Sequence, residues 1–162
     1  MSTPNSRCRV LAAGLIAVWI GNPGTALAHA DIIERIMALN REIQESSPSA
    51  ALYLKRGELH RLHRDWPAAL ADYQRARRIA PDNPNVNYYM GRMRLESGWP
   101  DLVRSALNRF LAVRPNHADA LLIRSRALAQ LGKPHPAAAD LTKATALLDR
   151  PTPEVYLERA KL

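Results

Sequence analysis

The 162-residue chain carries 23 Lys+Arg against 15 Asp+Glu, a formal net charge of +8, and is 47% hydrophobic with one Phe and one Cys. That length and apolar content suit one domain with its own core, and a lone cysteine excludes a disulfide framework within the chain. Abundant Ala, Leu and Arg, with little β-branched alternation, predict an all-α chain.

Residues 1–28 read as a signal peptide. Arg7 and Arg9 give a basic start, Val10 to Ile20 is an uninterrupted apolar run, Asn22-Pro23-Gly24 breaks it, and Ala26-Leu27-Ala28 offers small residues at a cleavage site. A bilayer span needs about 20 apolar residues, so the run is too short for stable membrane insertion. Cys8 follows Asn5-Ser6-Arg7, not the small and apolar residues of a lipoprotein signal, and cleavage near Ala28 removes it. The expectation is a periplasmic or secreted protein. Loss of Arg7 and Arg9 lowers the net charge from +8 to +6. The remaining charges are interspersed, without the clustered stripe and stacking aromatics of a nucleic-acid binder. An acidic protein partner or an anionic surface fits better.

A helix is expected from Asp31 to about Glu45, with Asp31 as cap and Ile32, Ile33, Ile36, Leu39 and Ile43 at helical spacing. It reads as an N-terminal capping helix within residues 29–49, or the second helix of an upstream unit. Ser46-Ser47-Pro48 ends it. From Ala50 to Pro81, two apolar stripes flank Asp65-Trp66-Pro67. One comprises Leu52, Tyr53, Gly57, Leu59, His60 and Leu62; the other, Ala69, Leu70, Tyr73, Ala76 and Ile79. Gly inside a helix costs about 1 kcal/mol relative to Ala. Gly57 therefore marks a point where a neighbouring helix comes too close for a side chain.

The hairpin recurs at a stride of 34: Gly57, Gly91, Ser125; Pro81, Pro115; and Ala69, Tyr73, Ala76 onto Val103, Leu107, Phe110 and then Ala137, Leu141, Ala144. Over residues 50–162 this resembles the tetratricopeptide repeat (TPR) family, with repeats about 50–83, 84–117 and 118–151 and a partial fourth at 153–162. The chain departs from the family at Arg56 (Leu expected), His60 (an aromatic), Phe110 (Ala), Ser125 (Gly) and Asp149 (Pro). Tyr156 and Ala160 read as the aromatic and small positions of the fourth repeat. The resemblance implies a right-handed α-solenoid of antiparallel helix pairs. Each internal turn places Pro near the start of a second helix, and Trp66 and Trp99 are expected to cover the open ends of their hairpins.

No nucleophile elbow, phosphate loop or Cys/His pair occurs, so the chain reads as non-enzymatic, with no cofactor and no metal site. His60 and His63 have an H-x-x-H spacing, but His60 falls where the family buries an aromatic, and packing explains it better. His29, the first residue after cleavage, has no identifiable companion ligand. What remains is surface. In the family, first helices line a concave groove, and the resemblance implies that Leu54, Glu58, Asn85, Tyr88, Arg92, Asp119, Leu122 and Arg126 face it, with Arg61 one turn beyond Glu58. Leu54, Tyr88 and Leu122 would make an apolar line with Arg92 and Arg126 beside it, suited to a peptide or helix of acidic character. Alternatively Arg92 and Arg126 only solvate the face, pairing with Glu58, Glu96 or Asp119. The Lys and Asn of family members that clamp chaperone C-terminal carboxylates are replaced by Leu54 and Glu58, so that activity is not implied. The function expected is an adaptor or scaffold holding a partner protein; the alternative is a structural subunit that docks or self-associates through its end helices.

Overall fold

The computed structural model describes residues 23–160, with side chains from 30 to 158, and every described element is an α-helix. In order these are α1 (Pro23–Glu45), α2 (Ala50–Leu62), α3 (Trp66–Ile79), α4 (Asn85–Glu96), α5 (Pro100–Val113), α6 (Ala118–Gln130), α7 (Pro134–Leu147) and α8 (Pro153–Ala160). The apolar run Val10–Ile20 lies outside the described residues. Helix α1 starts at Pro23, not at Asp31. Proline is tolerated in a first turn, and the Ala-Leu-Ala that follows propagates a helix well. Asp31 is thus mid-helix, where it faces Arg35 at 3.9 Å rather than capping.

Helices α2/α3, α4/α5 and α6/α7 form three antiparallel hairpins, each stacked on the next. Side-chain caps close several N-termini: Ser49 accepts from the Leu52 N–H, Asp65 from Ala68, and His117 Nδ1 from Ala120. The turns repeat at the 34-residue stride, with Arg64, Gly98 and Gly132 at φ +62°, +82° and +67°.

The crossings explain the glycines. A Cβ on Gly57 would lie 2.6 Å from the ring of Tyr73, and one on Gly91 would lie 2.8 Å from Leu107. Tyr73 and Leu107 are fully buried, each worth roughly 1.5–3 kcal/mol of apolar burial. The third crossing carries Ser125, whose buried hydroxyl donates to the Ala137 carbonyl at 2.8 Å. Phe110 is accommodated between Tyr88 and His117, with ring centroids 5.3 and 5.0 Å away.

Two expectations are corrected. Trp66 packs partly against the core, but Trp99 is 62% exposed and, with Trp66, lines an open pocket between α3 and α5 rather than closing the end of its own hairpin. In α8 the buried residue is Val155, while Tyr156 is exposed. At the 34-residue stride Val155 follows Tyr53 and Leu121, whereas Tyr156 follows Leu54, Tyr88 and Leu122. It therefore falls on the face of the first helices and not in their crossing.

Candidate peptide-binding face

The first helices of the hairpins, α2, α4 and α6, touch one another in series. Their shared face carries the charge network that dominates this side of the molecule. Glu58 accepts from the Tyr73 hydroxyl at 2.5 Å and from Arg61 Nε at 3.1 Å, and lies 3.8 Å from Arg92. Arg61 reaches on to both oxygens of Glu96, at 2.6 and 2.7 Å. Burial opposes charge on Arg61, but the Glu96 hydrogen bond and the charges of Glu58 and Glu96 outweigh it, so its pKa is raised. Burial, then the charge of Glu58 and the bond to it, also push the Tyr73 hydroxyl far above its ordinary range, so it remains a donor.

Arg61 is therefore a buried strut between hairpins, not the exposed groove residue expected. Leu54 is also corrected, in part: it is 7% exposed and belongs to the core. Its remaining surface opens, with Glu58, Leu59, Leu62, Leu39 and Tyr89, onto a pocket of about 590 Å³ between α1 and α2. Tyr88 and Leu122 are half-buried on the outer core. The Tyr88 hydroxyl donates to Asp119, and burial followed by that bond raises its pKa. Asn85 opens α4, its N–H held by Asn83 Oδ1 at 3.0 Å.

The two arginines differ. Arg126 is bonded to Glu158 of α8 at 2.9 Å. Arg92 is 40% exposed, and its nearest carboxylates, Glu58 and Glu96, stand off at 3.8 and 3.9 Å. Pairing with Glu58 and Glu96 was one of the two readings of Arg92, and the geometry realises it loosely. His60 is half-buried between Asp65 and Asp72, 3.8 and 4.0 Å away. Desolvation lowers its pKa despite both carboxylates. No group of three or more His, Cys, Asp or Glu within reach of one ion occurs among the described residues, nor is any described helix long and apolar enough to cross a membrane.

Sequence reasoning missed a polar device on the opposite side of the first helices. Arg56 of α2 makes a bidentate pair with Asp72 of α3 (2.8 and 2.6 Å) and reaches Asn40 of α1 at 2.7 Å. Arg124 of α6 does the same with Asp140 of α7 (both 2.7 Å) and Asn108 of α5 (2.9 Å). The three residues recur at 68, twice the repeat length. Aligning alternate repeats would have found them; the middle repeat puts Gln74, Met90 and Ala106 in the same slots.

The comparisons agree with this geometry. A tetratricopeptide repeat family model matches residues 36–84 and 90–154. No curated protein matches the sequence. Among solved structures, the chain is similar to YrrB, described as "a TPR protein with an unusual peptide-binding site", at TM-score 0.68 and 19% identity, covering 86% of this chain and 71% of that one. It is similar to MamA from Desulfovibrio magneticus RS-1 at TM-score 0.67 and 16% identity, covering 76% and 70%. It is also similar to the first TPR of Spaghetti (RPAP3), solved with an HSP90 peptide, at TM-score 0.65 and 19% identity, covering 72% and 91%. With the glycines at the helix crossings and the family model spanning most of the described hairpins, the chain belongs to the tetratricopeptide repeat family.

Proposed function

We propose that the protein is an exported, non-enzymatic adaptor that holds a peptide or helix of a partner protein against the face formed by α2, α4 and α6. The observation that carries this is Arg92, a substantially exposed guanidinium with only distant carboxylates, set one helical turn from the half-buried Tyr88. An incoming acidic side chain can replace those long contacts with short charge-assisted bonds. Apolar side chains of the partner then cover Tyr88 and Leu122. That two structural neighbours are described by peptide binding supports the reading.

The test is crosslinking in the producing cell from a photoreactive residue at Asn85. The wild-type background should give a discrete adduct, and Arg92→Glu with Arg126→Glu should remove it without changing helicity. An adduct that survives the double substitution refutes the reading. Export has its own readout: the chain in the osmotic-shock fraction should begin at or near His29. A second reading, an assembly subunit, is favoured by the exposed Ile33 and Met37 on α1 and Tyr156 and Leu157 on α8. Sedimentation of the mature chain separates the two, since only the subunit requires a multimer.

A further inference from the structure

The second helices α3, α5 and α7, preceded by α1, line the other side of the stack, and each neighbouring pair leaves a trough floored by a first helix. In the α1/α3 and α5/α7 troughs the floor supplies a guanidinium, Arg56 or Arg124, and the wall supplies its carboxylate, Asp72 or Asp140. The middle trough, between α3 and α5 over α4, differs. The guanidinium and carboxylate slots of the clamp hold Met90 and Ala106, and Arg94, one helical turn beyond Met90, has Arg77 and Arg109 as its charged neighbours. Among the described residues, Arg77 is held only by Asn87 Oδ1 at 3.3 Å and Met90 Sδ at 2.7 Å, and Arg94 only by the Leu102 carbonyl at 3.4 Å. Arg109 makes no hydrogen bond or ion pair among the described residues. Arg94 has its pKa lowered first by burial and then by the charges of Arg77 and Arg109, with no acidic group acting on it.

Arg94 also lines a strongly apolar pocket of about 520 Å³ together with Trp66, Leu70, Met93, Trp99 and Leu102. A half-buried cation in an apolar cleft, surrounded by like charge, is unfavourable unless something neutralises it. A wedge between helices, with a tryptophan on each side, admits a side chain more readily than a flat bilayer surface. We infer that the middle trough is a second docking site, independent of the α2/α4/α6 face, for a partner polypeptide that places an aromatic or large apolar residue between Trp66 and Trp99 and an adjacent carboxylate on Arg94. The incoming carboxylate neutralises Arg94, one turn along from the slots where Asp72 and Asp140 neutralise Arg56 and Arg124. Arg77 and Arg109 supply longer-range attraction.

The experiment uses the purified protein and two synthetic peptides, acetyl-Trp-Leu-Glu-Glu-amide and its Gln-Gln counterpart, followed by the indole resonances of Trp66 and Trp99 and the Nε–H of Arg94. The acidic peptide should perturb all three and bind about tenfold more tightly than the neutral one, the gap between charged and neutral hydrogen bonds. Arg94→Leu installs what the third repeat carries at that slot, Leu128. It should abolish the acid preference and raise Tm by about 2–4 °C, because the buried cation is gone. Trp99→Ala, at an exposed position, should weaken both peptides and leave Tm unchanged. The proposal is overturned if both peptides bind equally, if Arg94→Leu leaves the acid preference intact, or if the perturbed resonances are those of Tyr88 and Arg92. Arg94-dependent co-sedimentation with phosphatidylglycerol vesicles, without peptide binding, would also overturn it and assign the trough to an anionic membrane.

Discussion

The outer hairpins and the middle one answer the same packing problem in opposite ways. Where α2 meets α3, and α6 meets α7, a half-buried arginine is clamped by a buried aspartate across the hairpin and an asparagine from the preceding helix. Where α4 meets α5, the slots hold Met90 and Ala106 and the contact is apolar. The TPR stack thus tolerates either an ion pair or a methionine at one position, because stacking and not that pair supplies the core. The difference is one of consequence. A clamped arginine is committed to structure, while the middle hairpin's arginines are left available to a ligand.

Breaking a clamp gives the largest effect. Arg56→Ala leaves Asp72, whose side chain is only 2% exposed, without its principal partner, and should cost about 3 kcal/mol by urea unfolding. The Arg75 contact at 3.1 Å softens but does not replace it. Converting the first hairpin to the middle pattern, Arg56→Met with Asp72→Ala, should recover most of that loss, since an apolar pair of similar volume often matches a buried ion pair. A double variant as unstable as the single one would show that the two hairpins are not interchangeable solutions.

Filling the crossings comes next. Gly57→Ser forces Cβ against a Tyr73 ring that cannot retreat, because its hydroxyl is held by Glu58. A net cost of about 1–2 kcal/mol is expected, overpacking less the regained helix propensity. Ser125→Gly removes a residue that already fits, along with its bond to Ala137, and should cost about 1 kcal/mol. Thermal unfolding of both variants measures whether the third crossing is wider than the first.

A pH effect separates the hairpins further. The slot holding His60 in the first holds Arg94 in the second and Leu128 in the third, and of the three only the imidazole has an ordinary pKa close to neutrality. Its folded pKa lies below the ordinary 6.5, chiefly through desolvation. The unfolded chain therefore binds the proton more readily. Stability from this site is present above about pH 6.5 and is lost as the pH falls below it. His60→Leu should flatten the decline in Tm between pH 7.5 and 5.5; an unchanged slope would assign the effect elsewhere.

The parts of the fold fixed by stride were legible. Gly57 and Gly91 announced their crossings because only a close helix justifies glycine there, and the Pro-marked turns located the hairpins. Three things were not. Asp31 reads as a cap because Asn22-Pro23-Gly24 has the composition of a chain break, whereas Pro23 opens the first turn of α1. Tyr156 looked like a core aromatic because one residue of register is invisible in an eight-residue helix. The clamps Asn40–Arg56–Asp72 and Asn108–Arg124–Asp140 escaped because they skip the middle repeat, so Arg56 registered only as a departure from Leu. At the candidate site, sequence placed Arg92 and Tyr88 correctly on the first helices. It could not show that Arg61 turns inward, since that depends on Glu96, 35 residues away, completing its coordination.

The smallest expected effect lies at the inter-helix turns, where the hairpins again differ by one residue. Gly98 and Gly132 adopt left-handed φ values without steric cost, but the first hairpin places Arg64 there at φ +62°. An L-residue in that region carries about 1–2 kcal/mol of strain, while Gly adds unfolded-state entropy that returns 0.5–1 kcal/mol. Arg64 is exposed, so substitution removes no core packing. Arg64→Gly should therefore stabilise the chain by about 0.5–1 kcal/mol, and Gly98→Ala should destabilise it by a similar amount. Thermal melts of the pair should move in opposite directions. If both move the same way, the backbone N–H of Arg64, which donates to the Arg61 carbonyl at 2.9 Å, does not constrain the first turn as its counterpart Gly98 constrains the second.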